Sequence, residues 1–503
     1  MFHRRLHVPG IVVAAILIRS VEVHGTSNMT DSPCEVSTAV TSCHNASQAP
    51  PCLPSKTALF LILELPTITQ LTAPLLANVP SVHSLHIKSS SMTTVRSPAF
   101  SNNPLVEELK MEVPNLTILE PGVFQSLPKL KHLRLDCAIR RLDEDQFVLC
   151  PDLRHVSIHA RIQQILPGTF RHNKALSFLR LVSNHLTQLP DGLLAGNPQV
   201  DYVDLTHNGI HTISAGAFKN ASSLQQLFLS RNHLKTLEEG TLDDAELLIV
   251  FHASENEITY LPPSIFAKTV SLIEIHLDSN SLMSLPKDIF AATASLKVLS
   301  LRSNRLESLE AELFRHTRQL TTLELSGNAL STLPADVFAG LQSLRYLYLS
   351  DNRLASLPAD VFRPNTALLQ LVMSGNLLQE LPEVVLGGCP QLAFFFVDHN
   401  RLKSLPGRLF ANKTELRTVS LENNSLRRLP VELFSGTPSL NRLLLGRNPW
   451  NCSSCDVTMM SAWVASRNVD IGDVVPRCSG PGPQAGRDIH QVVPAHCLED
   501  RVL

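Results

Sequence analysis

Two histidines, His252 and His276, stand 24 residues apart in a chain of 503, with Glu255, Glu274 and Asp278 close to them in sequence. Imidazoles and carboxylates are donors for divalent metals, and two imidazoles carried to one surface could reach a common ion. This spacing does not define four ligands, and the chain scatters 20 histidines freely. The expectation is therefore exposed polar residues and no bound metal. The tetrapeptide CSSC, from Cys452 to Cys455, has the spacing of a redox or zinc motif. Among further cysteines it reads instead as part of a disulfide framework. GPGPQAG lies between Cys478 and Cys497, not between a strand and a helix, so it is not expected to cradle phosphate. HExxH, GxSxG and Walker patterns are absent. No catalytic residue, cofactor or enzymatic activity is expected, because no convergent set of reactive groups can be named.

Binding chemistry is easier to locate. The stretch LRYLYLSDNRLASLPADVF, beginning at Leu344, holds two of the four tyrosines, Tyr346 and Tyr348, on either side of Leu347. In a strand, the neighbours of an inward leucine face outward. Equivalent positions elsewhere hold Phe178, Tyr202, Phe228, Val372, Phe394, Phe396 and Leu444. Exposed aromatics gathered on one face mark interaction sites. The expected partner-binding patch is Tyr346, Tyr348, Val372, Phe394, Phe396 and Leu444, taking a protein ligand. The competing expectation is that such rings stack across strands and only stiffen the sheet.

Charge is uneven along the chain. Glu238, Glu239, Asp243, Asp244, Glu246, Glu255 and Glu257 make an acidic middle. Arg401, Lys403, Arg408, Lys413, Arg417, Arg427, Arg428, Arg442 and Arg447 make a basic end, which could take a sulfated glycan. The net charge of −2 gives no global reason to bind nucleic acid.

What must position these residues is a repeat. L-x-x-L-x-L-x-x-N-x-L-x-x-L recurs with its asparagine at every 24th position from Asn184 to Asn448. Upstream, Pro66, Ser90, Pro114, Cys137 and Ala160 keep the register, with two steps of 23 residues. The whole array is about 17 turns over residues 58–448. Each L-x-L is a short parallel strand that can bury its apolar face only against neighbouring turns. The asparagine amide can satisfy backbone groups of adjacent turns. A second column, from Phe100 to Phe434 with leucine at Leu194, Leu242 and Leu386, is expected to wedge the convex face apart. With strands ~4.8 Å apart inside, the arc has an inner edge of about 75–80 Å. The first turns lack asparagine, so less regular stacking and a change of curvature are expected there.

The flanks read as a secreted protein. A basic start and the apolar core IVVAAILI indicate a signal peptide over residues 1–25. Sequons stand at Asn28, Asn45, Asn115, Asn220, Asn412, Asn423 and Asn451. No later stretch is long and apolar enough to span a membrane, so a soluble extracellular glycoprotein is expected. Residues 26–57 form an N-terminal cap with Cys34, Cys43 and Cys52, one of which is left over from pairing. Residues 449–503 form a cysteine-rich C-terminal cap, with Trp450 and Trp463 packing between its cysteines. Cys137, Cys150 and Cys389 occupy core positions and are expected to be buried free thiols.

These motifs resemble those of the extracellular leucine-rich repeat family over nearly the whole chain. The fold this implies is an α/β repeat solenoid, a horseshoe with a parallel concave sheet and disulfide-bonded caps. The resemblance implies the pairs Cys452–Cys478 and Cys455–Cys497; spacing alone allows three connectivities. LLLGRNPWNC and PRCSGPGPQAG are similar to the platelet glycoprotein V subgroup, and the LPxxxF turns to carboxypeptidase N regulatory subunits. Leucine-rich alpha-2-glycoproteins are a third similar group. The resemblance implies a non-catalytic binding protein, with alternatives in a carrier subunit of a circulating carboxypeptidase and an innate-immune or matrix recognition protein.

Overall fold

The computed structural model describes residues 34–36, 40–43, 60–77, 79–479 and 484–491. One sheet of 19 strands runs through the molecule. It starts with an antiparallel hairpin, Cys34–Val36 and Val40–Cys43, in which Cys34 and Cys43 are register partners. The other 17 strands follow turn by turn, all parallel, from Phe60–Glu64 to Arg442–Leu444. Residues 1–25, expected to be a signal peptide, and Asn28, Asn45, Cys52 and Cys497 lie outside the described residues.

Each later strand is three residues long with its middle residue buried, as in Tyr346–Tyr348 around Leu347. The asparagines then turn the chain. Asn352 Nδ2 donates to the carbonyls of Leu325 in the preceding turn, at 3.0 Å, and Leu349 in its own, at 3.1 Å. Its Oδ1 accepts from the Leu330 N–H at 3.0 Å. The same set recurs at Asn304 and Asn400. These bonds satisfy backbone groups that would otherwise be buried unpaired.

They also hold a conformation the repeat pattern does not reveal. The residue before every ladder asparagine from Asn184 to Asn448 has a left-handed backbone, and only Gly327 and Gly375 among them are glycines. A side-chain-bearing residue in this region costs about 1 kcal/mol or more. The asparagine bonds and a backbone bond to the next turn, such as Asp351 N–H to Ser374 O at 2.8 Å, fix it in place.

The first turns differ from expectation. They are regular, but their strands are five residues long, from Phe60–Glu64 to His155–His159. Without an asparagine to bend it, the chain stays extended and pairs its own amides, as Leu65 N–H does with Lys88 O at 2.8 Å. Two-residue strands follow and pair into small sheets, Gln70–Leu71 with Thr94–Val95 and Ile118–Leu119, and Arg141–Leu142 with Gln164–Ile165.

The repeat solenoid expected from the sequence is present, with little helix on its outer side. There the coil is built of turns and short 3-10 segments, and Cys455–Arg467 is the one α-helix among the described residues. Bonds such as Val337 N–H to Pro334 O at 3.3 Å show why: the proline of LPxxxF starts a tight turn, not a helix. The phenylalanine column is buried throughout. Neighbouring rings stack at 5.6 to 6.5 Å, wider than the ~4.8 Å between strands, and this difference curves the arc. Where leucine breaks the column at Leu242 and Leu386, a strand phenylalanine fills the gap. Phe251 meets Phe266 and Phe395 meets Phe410 edge-on, both at 5.8 Å.

The C-terminal cap closes both layers. Trp463 stacks on Phe434 at 5.0 Å and ends the phenylalanine column. Trp450 is fully buried and donates from Nε1 to Leu445 O at 3.1 Å. Cys452 and Cys478 are disulfide-bonded, and Cys455 also sits in a disulfide. Cys137, Cys150 and Cys389 are buried free thiols. Burial pushes them up to about 11, 12 and 12, so they carry no thiolate to react.

Candidate binding surface on the concave sheet

From Phe178–Arg180 onward, each strand presents its first and third residues on the concave side, in register with the next strand. One column reads Phe178, Tyr202, Gln226, Val250, Glu274, Val298, Thr322, Tyr346, Gln370, Phe394, Thr418, Arg442. The other passes through Phe228, His252, His276, Ser300, Glu324, Tyr348, Val372, Phe396, Ser420 and Leu444.

Seven rings on this surface touch in unbroken succession. His132 stacks on His155 at 4.6 Å, and His155 meets Phe178 at 5.6 Å. Phe178 stacks on Tyr202 at 4.3 Å. The line then crosses to the second column through Phe228, 5.3 Å from Tyr202, and continues to His252 at 4.9 Å. It ends at His276, 4.2 Å further. The expectation of stacked rings therefore holds for Phe178, Tyr202 and Phe228. His132 and His155 were not singled out by the repeat pattern. Writing the strand positions out in register would have found them, but the diagonal step from Tyr202 to Phe228 needs coordinates.

The end of the ladder is charged. His276 Nε2 lies 3.8 Å from Glu274 Oε2, and its Nδ1 lies 3.6 Å from Asp278 Oδ2. Burial pulls the His276 ring down, but the two carboxylates outweigh it and hold it up at about 9. His252 goes the other way, to about 4, because burial and then the charge of His276 both disfavour its protonation. Asp278 accepts from the Ser254 hydroxyl at 3.0 Å and from the Ser300 hydroxyl. Glu255 is not part of this group; it pairs with Arg231 at 3.1 Å.

The patch expected from the sequence lies further along. Tyr346, Tyr348, Val372, Phe394, Phe396 and Leu444 are all half-buried on the concave side. Tyr348, Val372 and Phe396 are successive register partners, whereas Gln370 separates Tyr346 from Phe394. The ring–ring pairs among the described residues involve neither these tyrosines nor Phe394 and Phe396. Leu444 is drawn under the cap: a methyl group at Gly472, where φ is +73°, would come within 2.6 Å of its Cδ2. Burial raises the Tyr348 hydroxyl above its usual range, with Glu324 and Tyr346 adding to the effect.

Residues 80–137, 198–258, 294–354, 342–402 and 395–449, more than half of the chain, match the leucine rich repeat family. The chain belongs to the leucine-rich repeat family. No curated protein matches it in sequence. Similar solved structures of leucine-rich repeat folds include the Drosophila Toll–Spatzle complex, at 21% identity and a TM-score of 0.65 over 91% of this chain and 71% of that one. The Leptospira interrogans leucine-rich repeat protein LIC12759 gives 22% and 0.61, over 81% of this chain and 95% of that one. The TLR13–ssRNA13 complex gives 21% and 0.64, over 88% and 65%. At these identities the likeness is one of fold.

The leucine-rich repeat coil also redistributes the charges. Lys413 is buried in the convex layer, where burial lowers its pKa, so it is lost to the basic end. Arg428 and Arg442 face the cap acids Asp456 and Asp470, at 3.6 and 3.4 Å. The remaining bases are exposed. In the acidic middle, Glu238 to Glu246 lie in an outer turn, while Glu255 and Glu257 follow a strand, so the seven acids share no single face. Asn115, Asn220, Asn412, Asn423 and Asn451 are exposed. No helix among the described residues is long and apolar enough to cross a membrane.

Proposed function

We propose that this protein is a secreted, glycosylated, non-catalytic binder that takes a protein partner on its concave face through Tyr346, Tyr348, Val372, Phe394 and Phe396, with Leu444 at the patch's capped edge. The observation that carries this reading is the contrast between the rings. Those of the ladder are in contact with each other, whereas those of the patch are half-buried and free of ring partners. Aromatic side chains held on a rigid sheet give large contact area at small entropic cost. Exposed Arg417 and the other free bases nearby could supply charged contacts at the rim, or a sulfated glycan site. Toll in complex with Spatzle and TLR13 in complex with ssRNA13 are folds of this kind with a bound partner. A net charge of −2 and a concave centre holding Glu274, Asp278 and Glu324 favour protein over nucleic acid on this face. A carrier role for a circulating carboxypeptidase is one specific form of this reading.

Affinity capture from plasma or extracellular fluid, with mass spectrometry, identifies the partner. Tyr348→Ala and Phe396→Ala should secrete normally and bind it at least ~30-fold more weakly, about 2 kcal/mol. Unchanged affinity in both would move the binding surface away from this patch.

A further inference from the structure

We propose that His252, Glu274 and His276 form a binding site for a divalent transition-metal ion, Zn2+ by preference, on the concave sheet. One nitrogen of each histidine and one oxygen of Glu274 all lie within 4.8 Å of one another. Zinc holds such donors at about 2.0–2.2 Å, which places them roughly 3.3 Å apart. Small side-chain rotations close that difference. Glu274 and His276 keep 31% and 27% exposure and so have room to make them. The strands themselves need not move: His252 and His276 are register partners on adjacent strands, and Glu274 starts the strand that His276 ends.

A second observation points to a missing partner. His252 Nε2 is buried and has no hydrogen-bond partner. A buried imidazole nitrogen left unpaired carries a desolvation penalty that a bound ion would relieve.

A third concerns orientation. Metal-bound histidines usually give their other nitrogen to a carboxylate, which fixes the ring. Asp278 stands in that place, facing His276 Nδ1, while Ser254 and Ser300 hold its carboxylate. Nε2 of His276 is then left on the side of Glu274. Two neutral imidazoles with the carboxylates of Glu274 and Asp278 balance the charge of a divalent ion. Any proton on His276 leaves to solvent when the ion binds. Three protein ligands leave one coordination position for water. The repeat period of 24 residues did not define this site because Glu274 and Asp278 reach it from within one turn.

The test uses the full-length protein, stripped with chelator and dialysed, titrated calorimetrically with ZnCl2 alone. One saturable site is expected. His276→Ala and His252→Asn should each weaken it about 100-fold or more, and Glu274→Gln about 10-fold or more. Asp278→Asn, which removes no ligand, should cost about 10- to 100-fold. His233→Ala, in the separate His211–His233 pair at 5.4 Å, should leave binding unchanged. Circular dichroism establishes that each variant is folded. Should a histidine variant fold poorly, anomalous diffraction from wild-type crystals soaked in Zn2+ decides. A peak among His252, Glu274 and His276 supports the site; a peak only elsewhere, or none, overturns it. Unsaturable binding, or equal affinity in His276→Ala, overturns it as well.

Discussion

Tyr202 and Tyr348 both project from the concave sheet of one coil, yet their surroundings differ. Tyr202 has rings on both neighbouring strands, at 4.3 and 5.3 Å, and its hydroxyl reaches Asp204, which Arg180 also contacts at 3.3 Å. Its phenol is pushed up to about 12 by burial and by Asp204. Tyr348 has Glu324 on one side and Val372 on the other. Identical chemistry at similar places is therefore packed between rings in one region and free of ring contacts in the other. An aromatic residue on a binding face says little until its neighbours on the next turns are known.

The sharpest test of this contrast uses two adjacent residues. Phe395 is buried and closes the gap beside Leu386, so Phe395→Ala should cost about 3–5 kcal/mol in denaturant unfolding. Phe396→Ala should change stability by no more than about 0.5 kcal/mol. Equal losses would mean that the patch is also structural.

Next in size is the cap. Replacing both Cys452 and Cys478 by serine removes the closure next to the last strand and should cost about 2–4 kcal/mol. Hydrogen exchange should rise first in the turns around Leu444 and Phe396 and leave the ladder protected. A uniform rise along the chain would show that the two regions unfold as one unit.

Within the ladder, Tyr202→Ala deletes two ring contacts and should cost about 1–2 kcal/mol, with partner affinity unchanged. Tyr348→Ala should show the reverse pattern.

The smallest effect is a response to acid. Burial lowers the pKa of His155 from its ordinary 6.5, and the charges of His132 and Arg154 lower it further. A base with a depressed folded pKa favours the fold when neutral. Its contribution is complete above pH 6.5 and fades as the pH falls below that value. Hydrogen exchange between pH 7 and 5 should show strands His132–Asp136 and His155–His159 loosening, with the patch strands unaffected. His155→Phe should keep the ring stack and remove the pH response.

Much of this was legible in the sequence. The period, the asparagine ladder and the phenylalanine column follow from residues that must be buried or must satisfy backbone groups at fixed intervals. The triplet FFF at Phe394–Phe396 could be split by alternation into one inward and two outward rings. That Phe395 replaces a missing outer ring could not, because it depends on contact between different layers. Ring contacts along the concave face escaped for a similar reason: they cross columns, and side-chain direction within a column is not set by the repeat. The left-handed positions were hidden because Ser183, Asp351 and Arg447 are not the glycine such a backbone favours. The free bases at the C-terminal end were overcounted, since the pattern did not show that Lys413 lies at a buried convex position.

The unequal spacing of the two layers gives the arc a mechanical bias. Flattening it would press together outer rings already in contact at 5.6 to 6.5 Å, or stretch the inner strands apart and break their hydrogen bonds. Tightening it separates the rings slightly and gives up only weak dispersion contacts. The protein thus behaves as a clip that yields inward more readily than outward. The same spacing favours closing around a convex surface over spreading against a flat one.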